Sequence, residues 1–182
     1  MPKIVPDVRR AAIESFRRRV AARGWKALEV RSLASSCGVA AGTLYNYFPS
    51  REAIAAAAIS EDWLEARRRL RAFPAGNSAM ENLRLIHGEL GDFMRRYRRL
   101  WASPTVAPDQ AGEGMIAGEL RRIRQDLERI AERAIEGHPA AEGIDAAFLP
   151  KFTARTLEQW APDPRTSWRV LSGILGRLIA SP

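Results

Sequence analysis

Gly38-Val39-Ala40-Ala41-Gly42-Thr43-Leu44-Tyr45-Asn46-Tyr47-Phe48-Pro49-Ser50-Arg51-Glu52 combines the punctuation of a tight turn with side chains suited to a polar partner. Gly38 follows an apolar-periodic run, where a helix stops and turns. Val39 is the one apolar residue of that turn and is expected to plug the angle between two helices. Residues 41–47 then make about two helical turns, and Pro49, lacking an N–H, blocks their continuation. Leu44 and Phe48 are four apart and share a face that must be buried. Thr43, Tyr45, Asn46 and Tyr47 fall on the other faces, and their hydroxyls and amide are groups that bond phosphate oxygens and base edges. Ser50 is a good cap for the next helix, with Arg51 and Glu52 in its first turn.

Upstream, Val30, Leu33, Ala34 and Cys37 recur at spacings of three and four, the mark of a short one-faced helix. Two short helices around a glycine turn make a helix-turn-helix. With Gly24-Trp25, Val30-Arg31-Ser32-Leu33-Ala34, Gly38-Val39, Gly42-Thr43-Leu44-Tyr45-Asn46-Tyr47-Phe48 and Ser50-Arg51-Glu52 in this order, the segment resembles the TetR family of bacterial transcriptional regulators. The resemblance covers roughly residues 8–55. It implies that Thr43, Tyr45 and Asn46 face bases or nearby phosphates in the major groove. It implies also that Tyr47 and Arg51 hold phosphates and that Arg31 brackets the other side. Ala41 and Gly42 let the backbone approach, Ala41 within reach of a thymine methyl. Asn46 is the candidate for sequence choice, because an amide bonds adenine at two points. The chain departs from the family pattern in three places: Ala40 and Glu29 stand where helix-capping Ser or Thr is usual, and Ala41 where a polar residue is common. The first helix is also about one turn longer than usual, an insertion that nearly keeps helical phase.

Charge is concentrated in the same segment. Residues 1–51 hold ten Lys or Arg against three acids, and so carry +7 of the net +8. Such an excess beside a reading helix is an electrostatic footprint for phosphates. A chain of 182 residues that is 46% hydrophobic can bury a core in one or two small domains. No run of about 18 apolar residues predicts a membrane span. The N-terminal residues have no secretory apolar core, and Cys37 is the only cysteine. These features predict a cytoplasmic protein without a membrane partner.

The rest of the chain reads as helices. Asp7 is expected to cap a first helix to Arg23, with Val8, Ala12, Phe16 and Val20 buried, Arg9, Arg10, Arg17, Arg18 and Arg19 mostly outward, and Gly24 ending it. A fourth helix should run from Ser50 to about Ala72. Its apolar residues, Leu64 among them, wrap more than half its circumference, and Arg67–Arg69 read as solvated charges. Pro74-Ala75-Gly76-Asn77 is a turn, and Ser78-Ala79-Met80-Glu81 a capping box opening a helix that continues to Trp101. A short helix or loop is expected in 104–118. Ile116, Leu120, Ile123, Leu127, Ile130 and Ala134 mark an amphipathic helix that Gly137-His138-Pro139 ends. A further helix should start at Pro150 and stop at Pro162, and a last one at Asp163-Pro164. No strand-like alternation appears, so the fold class is all-α: a three-helix DNA-reading unit at 1–52 and a helical effector-binding and dimerisation domain at 53–182, about nine helices in all.

Catalytic and metal chemistry have little support. His87 and His138 are the only histidines, no metal-binding or phosphate-loop spacing occurs, and no cofactor is implied. His87, on an apolar helix side, reads as a satisfied core or pocket residue. One reading helix is too small for useful affinity, so a homodimer on a palindrome is expected. The broad apolar sides of the last two helices are its candidate interface: Trp160, Trp168, Leu171, Ser172, Leu175, Gly176 and Ile179. The resemblance further implies a small-molecule effector, apolar or amphipathic, with Trp63, Leu90, Phe93, Met94, Tyr97, Trp101, Met115 and Ile116 as candidate pocket residues; a filled core is the alternative for each. The expected function is therefore a ligand-responsive repressor that is not an enzyme. The alternative is a ligand-independent architectural DNA-binding protein on the same scaffold.

Overall fold

A computed structural model describes residues 7–101, 114–136, 148–160 and 167–180, apart from the side chains of Ala27, Trp160, Leu178, Ile179 and Ala180. All regular structure among them is helical. The elements are α1 (Val8–Arg23), a single 3-10 turn (Trp25–Ala27), α2 (Val30–Ser36), α3 (Ala41–Tyr45), α4 (Arg51–Arg69), α5 (Ala79–Arg96), α6 (Arg98–Trp101), α7 (Met115–Ile135), α8 (Phe148–Trp160) and α9 (Trp168–Ala180). No helix among the described residues is long and apolar enough to cross a membrane.

The chain divides into two compact units, Met1–Trp63 with Arg96–Arg121 and Leu64–Arg95 with Arg122–Pro182. In the first, Ala12, Ile13, Phe16 and Val20 of α1 close a core with Leu33, Leu44, Ile54 and Ile59, each at most 1% exposed. Gly24 ends α1 at φ 76° and ψ −178°, a conformation essentially restricted to glycine, and its N–H donates to Val20 O at 3.0 Å. Asp7 occupies the cap position of α1, but no side-chain cap forms; its carboxylate instead lies 3.5 Å from Arg10. Burial along α4 is narrower than its composition suggests. Ile54, Ala55, Ala58, Ile59 and Trp63 are buried, whereas Leu64 is exposed.

In the second unit, Ile123, Leu127, Ile130 and Ala134 of α7 are buried at the expected spacing. The turn before α5 is stabilised by Asn77 N–H donating to Pro74 O, with Gly76 at φ 86°. The capping box forms in full: Ser78 donates N–H and O–H to Glu81, and Glu81 N–H donates to Ser78 Oγ. Arg67 and Arg69 are not simply solvated. They pair with Asp126 at 3.0 Å and Glu89 at 2.8 Å.

Several boundaries shift. The helix expected to reach Trp101 breaks at Tyr97, whose carbonyl accepts from both Leu100 and Trp101 to start α6. α8 begins two residues before Pro150, and α9 begins at Trp168, after Ser167 whose carbonyl accepts from Val170 and Leu171. Residues 102–113, His138 with its Gly-His-Pro turn, and the expected caps at Pro162, Asp163 and Pro164 lie outside the described residues.

Candidate nucleic-acid interface

The recognition geometry begins with a helix end. Cys37 caps α2, Gly38 follows at φ 69°, its N–H donates to Ser35 O, and Val39 N–H donates to Ala34 O, both at 3.1 Å. This pair of bonds satisfies two terminal carbonyls and reverses the chain, which only a left-handed residue permits cheaply. A Cβ on Gly38 would meet nothing within 4 Å, so its requirement is one of backbone alone. α3 then starts at Ala41, and Ala40 at its cap position offers no side-chain cap, as Glu29 offers none to α2. Each missing cap forgoes about 0.5–2 kcal/mol.

α3 is shorter than the two turns expected. Its α-helical part ends at Tyr45, and Tyr47 and Phe48 N–H both donate to Leu44 O in a tightened last turn ahead of Pro49. The buried face is as expected, with Leu44 0% and Phe48 4% exposed. The Arg9 guanidinium lies over the Phe48 ring at 5.9 Å. Away from that anchor, Tyr45 is 48% exposed. Asn46 and Gly42 are exposed, and Ala41, Thr43 and Tyr47 are half-buried. Arg31, in the first turn of α2, is exposed. Arg51 is more engaged than a free phosphate ligand. Its guanidinium stacks 4.4 Å from the Trp25 ring centroid and donates to Glu52 at 3.1 Å. Ser50 caps α4, its hydroxyl accepting from Ala53 N–H at 3.2 Å. Burial pushes the Glu52 carboxyl up, but its own N–H, the Ser50 hydroxyl and Arg51 outweigh this and hold it below the ordinary range.

Behind this surface sits a cluster that the sequence did not reveal. Asp62, 8% exposed on α4, accepts from Arg17 Nη2 at 2.6 Å and from Tyr97 Oη at 2.6 Å, and Arg96 lies 3.1 Å away. Glu61 beside it pairs with Arg9 at 2.6 Å and Arg17 at 3.3 Å. Arg17 was expected to point outward; it instead reaches α4, because two carboxylates there offer it partners. Burial lowers the Arg17 affinity for its proton, but the Asp62 charge, Tyr97 and the hydrogen bond to Asp62 together outweigh it, so the guanidinium stays charged. Burial, then Asp62, drives the Tyr97 hydroxyl upward, so it remains a donor. The signal that could have found the cluster is the Glu61-Asp62 pair inside an apolar helix, although nothing local names its partners.

Of the other candidate residues, Trp63, Tyr97 and Ile116 of the first unit are buried, and the Tyr97 and Trp101 rings are 5.7 Å apart. Trp101 is half-buried, its indole nitrogen enclosed without an acceptor among the described residues. Met115 is 52% exposed. In the second unit Leu90 and Phe93 are buried and Met94 is half-buried. His87 is not satisfied: its ring tilts against Trp168 at 5.4 Å while Nε2 is buried without a partner among the described residues. Of the expected dimer contacts, Leu171 and Leu175 are turned into their own unit at 0% and 1% exposure. Trp168, Ser172 and Gly176 are half-buried, and the side chains of Trp160 and Ile179 lie outside the described set. The outward face of α9 carries Val170 and Ile174, 55% and 48% exposed, flanking a groove of about 510 Å³ with Arg169, Gly173 and Arg177. No group of three or more His, Cys, Asp or Glu able to hold a metal occurs among the described residues.

Comparison with known proteins meets this geometry. Residues 10–58 match the model of the bacterial regulatory proteins, tetR family. The HTH-type transcriptional repressor KstR of Mycolicibacterium smegmatis is 30% identical over 122 residues, which is 65% of this chain and 59% of that protein. The chain thus matches less than two thirds of that relative's length. Among solved structures, Salmonella enterica GusR aligns over 100% of both chains with a TM-score of 0.73 at 18% identity. AibR, solved with isovaleryl coenzyme A and operator DNA, aligns over 94% of this chain and 98% of its own with a TM-score of 0.60 at 16% identity. These structural likenesses establish the shared fold. Residues 10–58 thus carry the helix-turn-helix domain of the TetR family of bacterial regulatory proteins, and the described helices share the fold of these solved structures.

Proposed function

We propose that this protein is a DNA-binding transcriptional repressor that reads a palindromic operator as a homodimer and answers to a small amphipathic effector. The observation that carries the reading is the outer surface of α3, where Tyr45 and Asn46 stand exposed on a helix anchored by buried Leu44 and Phe48. Thr43, Tyr45 and Asn46 are assigned to base edges and adjacent phosphates, Tyr47, Arg31 and Arg51 to the backbone, and Ala41 and Gly42 to close approach. The arrangement offers recognition groups rather than a nucleophile with its base, which supports a regulator rather than an enzyme.

Burial of Leu171 and Leu175 moves the proposed dimer interface around α9 to Val170, Gly173, Ile174 and Arg177, with Trp168, Ser172 and Gly176 at its edge. Leu90, Phe93 and Met94 of α5 are the apolar groups proposed to meet the effector. The coenzyme A thioester held by AibR supports an acyl thioester as its class. α4 begins at the Ser50 cap directly after α3 and contributes residues to both units, so it is the proposed route of coupling. A shift of about 1–3 kcal/mol between states would suffice for effector control.

A second reading, a ligand-independent DNA-binding protein, draws on the burial of Trp63, Phe93 and Tyr97, which a filled core also produces. Selection of bound sequences from random duplex DNA tests the proposal. The expected product is a two-fold palindrome. Binding that is salt-sensitive but sequence-blind would overturn the operator-reading assignment and favour the second reading.

A further inference from the structure

The basic residues of the first unit are not equivalent. Arg9 pairs with Glu61 at 2.6 Å, Arg10 lies 3.5 Å from Asp7, Arg17 pairs with Asp62 at 2.6 Å and Arg51 with Glu52 at 3.1 Å. A guanidinium already facing a carboxylate has part of its charge offset and attracts a further anion less strongly than one whose partners are neutral. Arg18, Arg19 and Arg23 have no carboxylate partner among the described residues, and all three line one cleft with Ser15, Ala22 and Ser36. Glu14, the acid nearest to them in sequence, is exposed and forms no ion pair with them. The cleft encloses about 320 Å³. A water's share of liquid is ~30 Å³, so there is room for an anion of phosphate size with its hydration.

The cleft is also internally organised. Ser36 Oγ donates to Leu33 O at 2.7 Å, so the proton in its 2.7 Å contact with Ser15 must come from Ser15. Ser15 then accepts from Arg19 Nε at 3.4 Å, and Arg19 Nη2 donates to Ser32 O at 3.1 Å. Every acceptor of Arg19 among the described residues is neutral. The relay therefore fixes its guanidinium across α1 and α2 without cancelling its charge. Arg18 and Arg23 stand exposed on the same helix, five residues apart with Ala22 between them in the lining.

We propose that this α1–α2 cleft is a phosphate-binding site, taking a backbone phosphate of duplex DNA outside the segment read by α3. The inference rests on the DNA-binding reading above and adds a contact surface to it. Guanidinium groups suit a phosphodiester because their fork of N–H donors matches its oxygens. A cluster that contacts no base strengthens binding to all sequences alike.

The test is fluorescence anisotropy of the full chain with a 30-bp random-sequence duplex, titrated across sodium chloride concentrations. Three proteins are compared: wild type, Arg18→Ala/Arg23→Ala, and the charge-matched control Arg84→Ala/Arg155→Ala, drawn from exposed positions of the other unit. The expected result is a salt slope shallower by about 1 in the cleft variant and unchanged in the control. Melting curves verify that both variants remain folded, as substitution of exposed arginines predicts. An equal loss of slope in both variants would reduce the effect to net charge and overturn the site. An unchanged slope in the cleft variant beside normal wild-type binding would overturn it too. A wild type that binds no duplex would instead sink the DNA-binding reading. Pyrophosphate is the second probe: if it raises the wild-type melting temperature and not the cleft variant's, while both bind duplex with the same slope, the phosphate belongs to a free anion and the assignment to DNA falls.

Discussion

Two faces of α1 put the same residue type to opposite uses. On the side toward α4, Arg9 and Arg17 meet Glu61 and Asp62, and Asp62 further engages Tyr97 and Arg96. On the side toward α2, Arg19 is held by a hydroxyl and a carbonyl, and Arg18 and Arg23 by no acid among the described residues. Arg17 and Arg18 are consecutive, yet one is part of the scaffold and its neighbour is left for a partner. Net charge alone conveys none of this. What separates the two is whether the facing helix supplies a carboxylate, because a paired cation supports the fold and an unpaired exposed one keeps its attraction for phosphate.

The largest effect that could break this contrast comes from Asp62→Ala. Removing the shared carboxylate takes from Arg17 and Arg96 their common partner and from the Tyr97 hydroxyl its bond to Asp62. Loss of one partner of a buried ion pair costs about 3–5 kcal/mol, to be read from the urea midpoint. A cost below about 1 kcal/mol would mean that the cluster is not part of the scaffold. Arg17→Ala comes next, at about 1.5–3 kcal/mol for a charged hydrogen bond, since Arg96 still faces Asp62. Arg18→Ala, one residue along, should stay within about 0.5 kcal/mol of wild type. Equal destabilisation by the two neighbours would erase the distinction between the faces.

Gly38→Ala sharpens a different boundary. Space is open around the glycine, so the cost is that of a left-handed backbone, about 1–2 kcal/mol. The same change should weaken DNA binding, because that turn orients α3. The smallest effect concerns pH. Burial, with Arg95 adding to it, pushes the His87 imidazole below its ordinary value. The folded state therefore binds this proton less readily than the unfolded chain. Its stabilising contribution is present above the unfolded pKa, near 6.5, and is lost as pH falls through the lower folded value. Unfolding free energy measured between pH 7 and pH 5 should decline, and His87→Gln should flatten that part of the profile.

What the sequence made legible is local. Glycine at the end of an apolar run, a serine three residues before a glutamate, and a spacing of three and four each act within one turn. Gly38, the Ser78–Glu81 box and α7 accordingly form as expected. The illegible features are those decided by distant partners. Arg17 sits one residue beyond the buried Phe16, on the edge of the stripe, and only the approach of α4, 45 positions later, turns it inward. α9 is apolar on both sides, so periodicity does not tell whether Leu171 and Leu175 or Val170 and Ile174 face the core. His87 was legible as lying on an apolar side, but the lack of a hydrogen-bond partner for its Nε2 among the described residues was not.

The central claim is that the exposed edge of α3 reads bases. Affinities of wild type and Asn46→Ala for the selected operator and its single-base variants test it most directly. The account predicts that Asn46→Ala loses about 1–3 kcal/mol of discrimination at one base pair of each half-site and keeps it elsewhere. A uniform loss over all variants, or none, would contradict it.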